Sequence, residues 1–173
     1  MLTVRKAELE DYRTLSAFSV QTFEDTFLGH PKNKDEDVKA YTADFLNENK
    51  IKEELLDKNC LFFLAEMGEA LVGYAKVNFG VYEECIVANN PTELQRIYVD
   101  TKCKGQGIGK LLLKKCVSAA IDNKSDVIWL GVWEDNLTAL DFYAHNGFRR
   151  VGAHTFLLGS DPQTDYILRN DLQ

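Results

Sequence analysis

The chain has 173 residues, 45% of them hydrophobic, enough for one domain with a real core across residues 1–173. Its 27 acidic and 20 basic side chains leave a formal net charge of -7 and no basic stripe, so no nucleic acid partner is expected and a cationic one is favoured. The longest apolar run, Cys60 to Ala65, is too short to span a bilayer and no apolar stretch follows Met1, so no membrane partner and a cytoplasmic location are expected.

Leu2 to Lys6 reads as a first strand. Glu10 to Glu24 reads as a helix, with Leu15, Phe18 and Thr22 on one face, and Thr22-Phe-Glu-Asp-Thr-Phe27 running off its end before Gly29 and Pro31. A second helix spans Asp35 to about Leu46, and a third, Ile51 to Asp57, can follow. Cys60 to Glu66 and Ala70 to Phe79 form a hairpin around Met67-Gly-Glu69. Gly80 to Pro91 is a loop, acidic at Glu83 and Glu84. Glu93 to Val99 is a strand. Ile108, Leu111, Leu112, Cys116, Ala119 and Ala120 then mark the buried stripe of a helix. Val127 to Val132 is a strand reached through that helix and so expected parallel to Glu93–Val99. Asn136 caps a helix through His145, closed by Gly147. Arg149 to Leu158 and Tyr166 to Arg169 supply two last strands around Gly159, Ser160, Asp161 and Pro162. The order is β-α-α-β-β-β-α-β-α-β-β, an α/β fold with a central mixed sheet flanked by helices.

Cys60, Cys85, Cys103 and Cys116 show no C-x-x-C pairing, so neither a zinc site nor a disulfide framework is expected, and no metal. Cys103 has no neighbouring His or Asn to activate it as an acyl carrier.

Between the strand at Glu93 and the helix lies Lys104-Gly-Gln-Gly-Ile-Gly109. Gly105, Gly107 and Gly109 permit backbone turns closed to other residues and keep no Cβ between the backbone and a ligand. Free N–H groups at a helix N-terminus make such a loop a phosphate cradle. Taken alone, the same glycines can simply start a helix. Neither the P-loop spacing nor G-x-G-x-x-G can be drawn through them. What fits is (Q/R)-x-x-G-x-(G/A) with Lys104 in the first place.

That motif resembles the acetyl-CoA-binding loop of the GNAT superfamily of N-acetyltransferases, whose order of elements is also the one read above. Lys104 replaces the usual Gln or Arg, keeping a donor but losing planarity. Asn136, Ala139, Phe142, Tyr143, Gly147 and Phe148 resemble the N-x-x-A-x-x-F-Y-x-x-x-G-F signature. Read alone, these are a helix cap and core aromatics. The resemblance implies that acetyl-CoA is held by Lys104, Gly105, Gln106, Gly107, Ile108, Gly109 and Lys110, by the strand backbone at Ile97, Tyr98 and Val99, and by Asn136. It implies Tyr143 beside the sulfur, and a phenol with a reference pKa of ~10 suits a general acid for the departing thiolate. Glu93, fourteen residues before Gly107, stands where family members using a strand glutamate base place it.

Thr22–Phe27, Arg96-Ile-Tyr98, Trp129–Glu134, Gly152-Ala-His154 and Gln163-Thr-Asp165 resemble landmarks of the PaiA-like polyamine acetyltransferases. The implied acceptor is a primary amine of spermidine or spermine, with Glu24, Asp25 and Asp165 as carboxylates for its ammonium groups. Two alternatives remain: an acetyltransferase of protein lysines or N-termini, and a regulatory module that binds acyl-CoA without turnover. The oligomeric state is not readable from the residues, a homodimer being among the assemblies left open.

Overall fold

The structure, a computed structural model, describes residues 1–172. In chain order the elements are β1 (Leu2–Lys6), α1 (Tyr12–Phe27), α2 (Asp35–Phe45), α3 (Glu48–Leu56), β2 (Cys60–Met67), β3 (Ala70–Phe79), β4 (Pro91–Val99), α4 (Ile108–Asp122), β5 (Val127–Trp133), α5 (Leu137–His145), β6 (Arg149–Leu158) and β7 (Asp161–Asp171). The strands form one sheet in the order β1-β2-β3-β4-β5-β7-β6. A core under α4 and α5 covers one face, including Ile108, Leu112, Leu130 and Phe148. The other face is covered by α1, α2 and α3, through clusters centred on Leu15, Ile51 and Tyr74 and on Phe23, Val38 and Leu158.

The expected mixed α/β fold is present, with local departures. The third helix that could follow is present and begins at Glu48 rather than Ile51, because Asn47 caps it by accepting from the Lys50 N–H at 2.9 Å. The first helix runs one turn further than expected, since Phe23 and Phe27 pack against each other on successive turns with ring centroids 4.4 Å apart. The last turn is shorter than expected, and Asp161 and Pro162 already belong to β7. Asp37 of α2 clamps that turn, its Oδ1 accepting from the Ser160 backbone N–H at 2.8 Å and hydroxyl at 3.0 Å. At Gly159, φ is +59° and a Cβ would lie 2.5 Å from the Asp37 carboxylate, so no side chain fits.

Two irregularities shape the centre of the sheet. The parallel ladder between β4 and β5 holds only Pro91 to Val127, Thr92 to Ile128 and Glu93 to Trp129, after which the strands part. In β4, Leu94 pairs with Val77 and Arg96 with Lys76, leaving Gln95 as a bulge. The extra residue reverses the alternation of faces. Leu94, Ile97 and Val99 pack toward α4. Glu93, Arg96 and Tyr98 instead line a cavity on the α1–α3 side.

Candidate active site

The connector between β4 and α4 has the left-handed turns that glycine supplies, with φ of +78° at Gly105 and +79° at Gly107, the N-cap of α4. A Cβ at either position would meet nothing within 4 Å, and no side chain caps the helix start. The first backbone N–H groups of α4 are therefore free to bind an anion, reinforced by the helix dipole. Lys104, Gln106 and Lys110 flank the turn from exposed positions, while Ile108 is buried and anchors it. Gly109 differs from the expectation of three equivalent glycines. It lies inside the helix, and its Cβ position is 3.7 Å from the Phe142 ring, so its small size serves the packing of α4 on α5.

The parting of β4 and β5 opens a cavity of about 210 Å³. Its walls carry Glu93, Arg96 and Tyr98 from β4, Gly131 and Trp133 from β5, and Asn136 and Tyr143 from α5. Phe27, Tyr41 and Phe156 contribute aromatic rings and Asp165 a second carboxylate. Asn136 caps α5, its Oδ1 accepting from the Ala139 N–H at 3.2 Å. The Tyr143 ring meets Phe142 and Phe148 edge-on at 5.2 and 5.5 Å. Burial, with the Cys116 thiol nearby, pushes its hydroxyl well above the ordinary phenol range, so it stays protonated at neutral pH.

Glu93 is raised by burial, against the Asn78 side-chain amide that donates to its Oε2 at 2.8 Å and the positive charges of Lys76 and Arg96. Asp165 is pushed up to about 6 by burial, with His154 opposing. Beneath Arg96 lies an ion triad. Glu54 of α3 accepts from Arg96 Nη1 at 2.7 Å and from Lys76 Nζ at 2.7 Å, all three side chains being largely buried. The two cations outweigh burial and hold Glu54 below its usual range.

The geometry brings Glu93, Asp165, Tyr98, Asn136 and Tyr143 to one cavity. Glu24 and Asp25 lie elsewhere, lining a shallow depression on α1 with Ala17, Gln21 and Leu28. The roles of Glu54, Lys76, His154 and Glu83 were not legible from the residues. His154 and Glu83 form a 2.9 Å contact across 71 positions, and only the acidity of the loop hinted at it.

The family model for the acetyltransferase (GNAT) family matches residues 20–148. The chain belongs to this family. Among curated proteins it is 32% identical over 163 residues to an uncharacterized N-acetyltransferase of Lactobacillus delbrueckii subsp. lactis, covering 94% of this chain and 93% of that one. It is 27% identical over 164 residues to an uncharacterized N-acetyltransferase of Mycobacterium tuberculosis, covering 95% and 99%. The crystal structure of the PaiA N-acetyltransferase from Thermoplasma acidophilum in complex with coenzyme A shares the fold with a TM-score of 0.82, at 23% identity over 99% of each chain.

As a GNAT protein the chain is an acetyl-CoA-dependent N-acetyltransferase. The residues present fit that cosubstrate: two open left-handed glycines stand at an uncapped helix start, and a cleft beside them carries a protonated phenol. Among the described residues no group of three His, Cys, Asp or Glu is arranged to hold a metal ion, and no helix is long and apolar enough to cross a membrane.

Proposed function

We propose that this N-acetyltransferase acts in the cytoplasm on a primary amine of a small polycation of the spermidine and spermine class. The observation that carries this reading is the cavity in the sheet, where two carboxylates, Glu93 and Asp165, stand among Phe27, Tyr41, Trp133 and Phe156. Aromatic faces and carboxylates together suit an alkylammonium chain, the rings attracting cationic nitrogen and covering methylenes. The net charge of -7 adds attraction at a distance.

When bound, acetyl-CoA supplies its acetyl group as a thioester. Backbone N–H groups from Gly105 to Lys110 hold its diphosphate, with Lys104 adding charge. The β4 backbone at Ile97, Tyr98 and Val99, freed of a strand partner on the β5 side, binds the pantetheine arm, and Asn136 lines its path. Glu93 and Asp165 seat the ammonium, and a carboxylate takes its proton so that a neutral lone pair can attack. Tyr143 gives a proton to the departing sulfur. Glu24 and Asp25, outside the cavity, meet the distal cationic end of a long acceptor.

The test is release of free thiol from acetyl-CoA with spermidine, monoamines and lysine peptides. Spermidine is expected to have the highest kcat/KM. Equal rates on lysine peptides would favour a protein acceptor instead.

A further inference from the structure

Three side chains beyond the cosubstrate cradle form a line from the cavity toward the surface. Asp165 on β7 stands in register with Trp133 of β5 on one side and His154 of β6 on the other, so all three share a face. Asp165 Oδ1 is buried with no hydrogen-bond partner in the chain. Its Oδ2 lies 3.9 Å from His154 Nε2. On the far side of the imidazole, His154 Nδ1 is 2.9 Å from Glu83 Oε2. Glu83 is held below its usual range as the His154 bond outweighs burial, so it is a carboxylate that only accepts, and Nδ1 carries the proton. That leaves the Nε2 lone pair facing Asp165. Side-chain exposure is 13% at Asp165, 33% at His154 and 19% at Glu83, so the imidazole is the point where the line meets solvent. Gly131 sits beside the gap, where a Cβ would be 3.3 Å from His154 Nε2 and 3.4 Å from Asp165 Oδ2, and its lack of a side chain keeps the gap open.

Glu93 is placed differently. Asn78 occupies one of its oxygens and favours its charged form, and among the described residues no imidazole bonds to it, His154 acting only at longer range. Resting on the reading of the protein as an acetyltransferase of cationic amines, we propose that Asp165 takes the proton from the acceptor's ammonium group and that His154 passes it outward beside Glu83. Forming an amide from an ammonium removes two protons from nitrogen. The first leaves as the ammonium N–H bond breaks and an O–H bond forms at Asp165, then crosses the 3.9 Å gap to His154 Nε2 through one bridging water while Nδ1 stays bonded to Glu83, and departs to solvent. The second leaves nitrogen after its lone pair has attacked the acetyl carbonyl carbon, and one proton reaches the sulfur as the C–S bond breaks. One proton is thus released per turnover.

The titratable groups that line the cavity with Asp165 are His154 on β6, Glu93, Arg96 and Tyr98 on β4, Tyr74 on β3, Tyr41 on α2 and Tyr143 on α5, with Glu83 behind His154. A folded-state value of about 6 makes Asp165 a carboxylate at neutral pH and a better proton acceptor than an ordinary aspartate.

The experiment measures kcat/KM from pH 5 to 9 with spermidine and with trifluoroethylamine, an amine largely neutral at pH 7. Wild type with spermidine is expected to lose activity below about pH 6. Asp165→Asn should move that limb up toward the amine's own pKa of ~10 and cost roughly 10²-fold at pH 7, while trifluoroethylamine loses less than about threefold. Carbon-13 NMR of the Asp165 carboxyl without acetyl-CoA should titrate near about 6, and His154→Gln should cost kcat/KM for spermidine more than for trifluoroethylamine. An unmoved limb in Asp165→Asn, equal losses for both amines, or the expected pattern in Glu93→Gln instead would overturn the assignment. If Asp165→Asn does not fold, a carboxyl midpoint near 4 in wild type overturns it alone. No turnover of any amine by wild type would strike the proposed function, whereas turnover with an unmoved limb strikes only this inference.

Discussion

Asn78 and Glu93 are ladder partners on β3 and β4, and the Asn78 side-chain amide donates to the Glu93 carboxylate at 2.8 Å. The bond holds the carboxylate in one place and supports its negative charge inside a cavity that would otherwise neutralise it. Asn78→Ala should therefore raise the Glu93 pKa further and raise KM for spermidine several-fold, with a larger effect at pH 6 than at pH 8. KM measured at the two pH values checks this.

Gly107→Val places a β-branched residue at φ +79°, in the open space proposed for the diphosphate. Acetyl-CoA at ~100 times its dissociation constant should stabilise wild type by ~2.7 kcal/mol, and the variant should show almost none of this. Thermal unfolding with and without acetyl-CoA makes the comparison. An unchanged shift would remove the loop from cosubstrate binding.

Tyr143→Phe deletes one oxygen and keeps the edge contacts with Phe142 and Phe148. Acetyl-CoA affinity should hardly change, while kcat falls on the ~10²-fold scale of a lost general acid with KM nearly constant. A kcat within twofold of wild type, with chemistry shown to limit the rate, would leave solvent as the proton source.

Asp165 carries a stability cost whose sign follows from its pKa. The folded value of about 6 lies above the unfolded value, so between pH 4 and 6 the folded state holds more protons. Stability is lost as pH rises through this window, and the full penalty, on the order of 3 kcal/mol, is present at pH 7. Asp165→Asn should raise Tm at pH 7 and lose that advantage at pH 4. Urea titrations at both pH values measure the difference, and a variant less stable than wild type at pH 7 would contradict this account.

Gly159→Ala forces a Cβ against Asp37 and a left-handed backbone on alanine, which costs about 1–3 kcal/mol for the conformation alone. Because Asp37 belongs to α2, which carries Tyr41 into the cavity, spermidine KM should rise while acetyl-CoA affinity holds. Isothermal titration of acetyl-CoA beside steady-state kinetics separates the two.

The parts legible in sequence are those written as periodicity or local spacing. The stripe through Ile108, Leu112, Cys116 and Ala120 is buried as its spacing requires, with Leu111 and Ala119 half-buried at its edge, and Asn136 caps α5. Gly105 and Gly107 have the conformations that glycine alone adopts freely. The parts that were not legible depend on single residues meeting across long separations. Arg96 and Glu54 are 42 positions apart, and neither belongs to a repeating pattern that would pair them. The bulge at Gln95 left no mark either, because Leu94, Arg96 and Tyr98 read as ordinary alternation until an unpaired residue reverses it.

The three-pair seam between β4 and β5 makes this sheet mechanically two plates joined at one end. The joint is fastened from behind by the buried Thr92–Ser125 hydroxyl pair at 2.7 Å and by Asp126, which accepts from the Asn89 and Asn90 N–H groups at 2.7 and 2.9 Å. Opening at the mouth is set by this fastening as a jaw is set by its hinge. A change at Ser125 or Asp126, neither of which lines the cavity, is therefore expected to alter the separation of the two walls between which the amine and the thioester are proposed to meet.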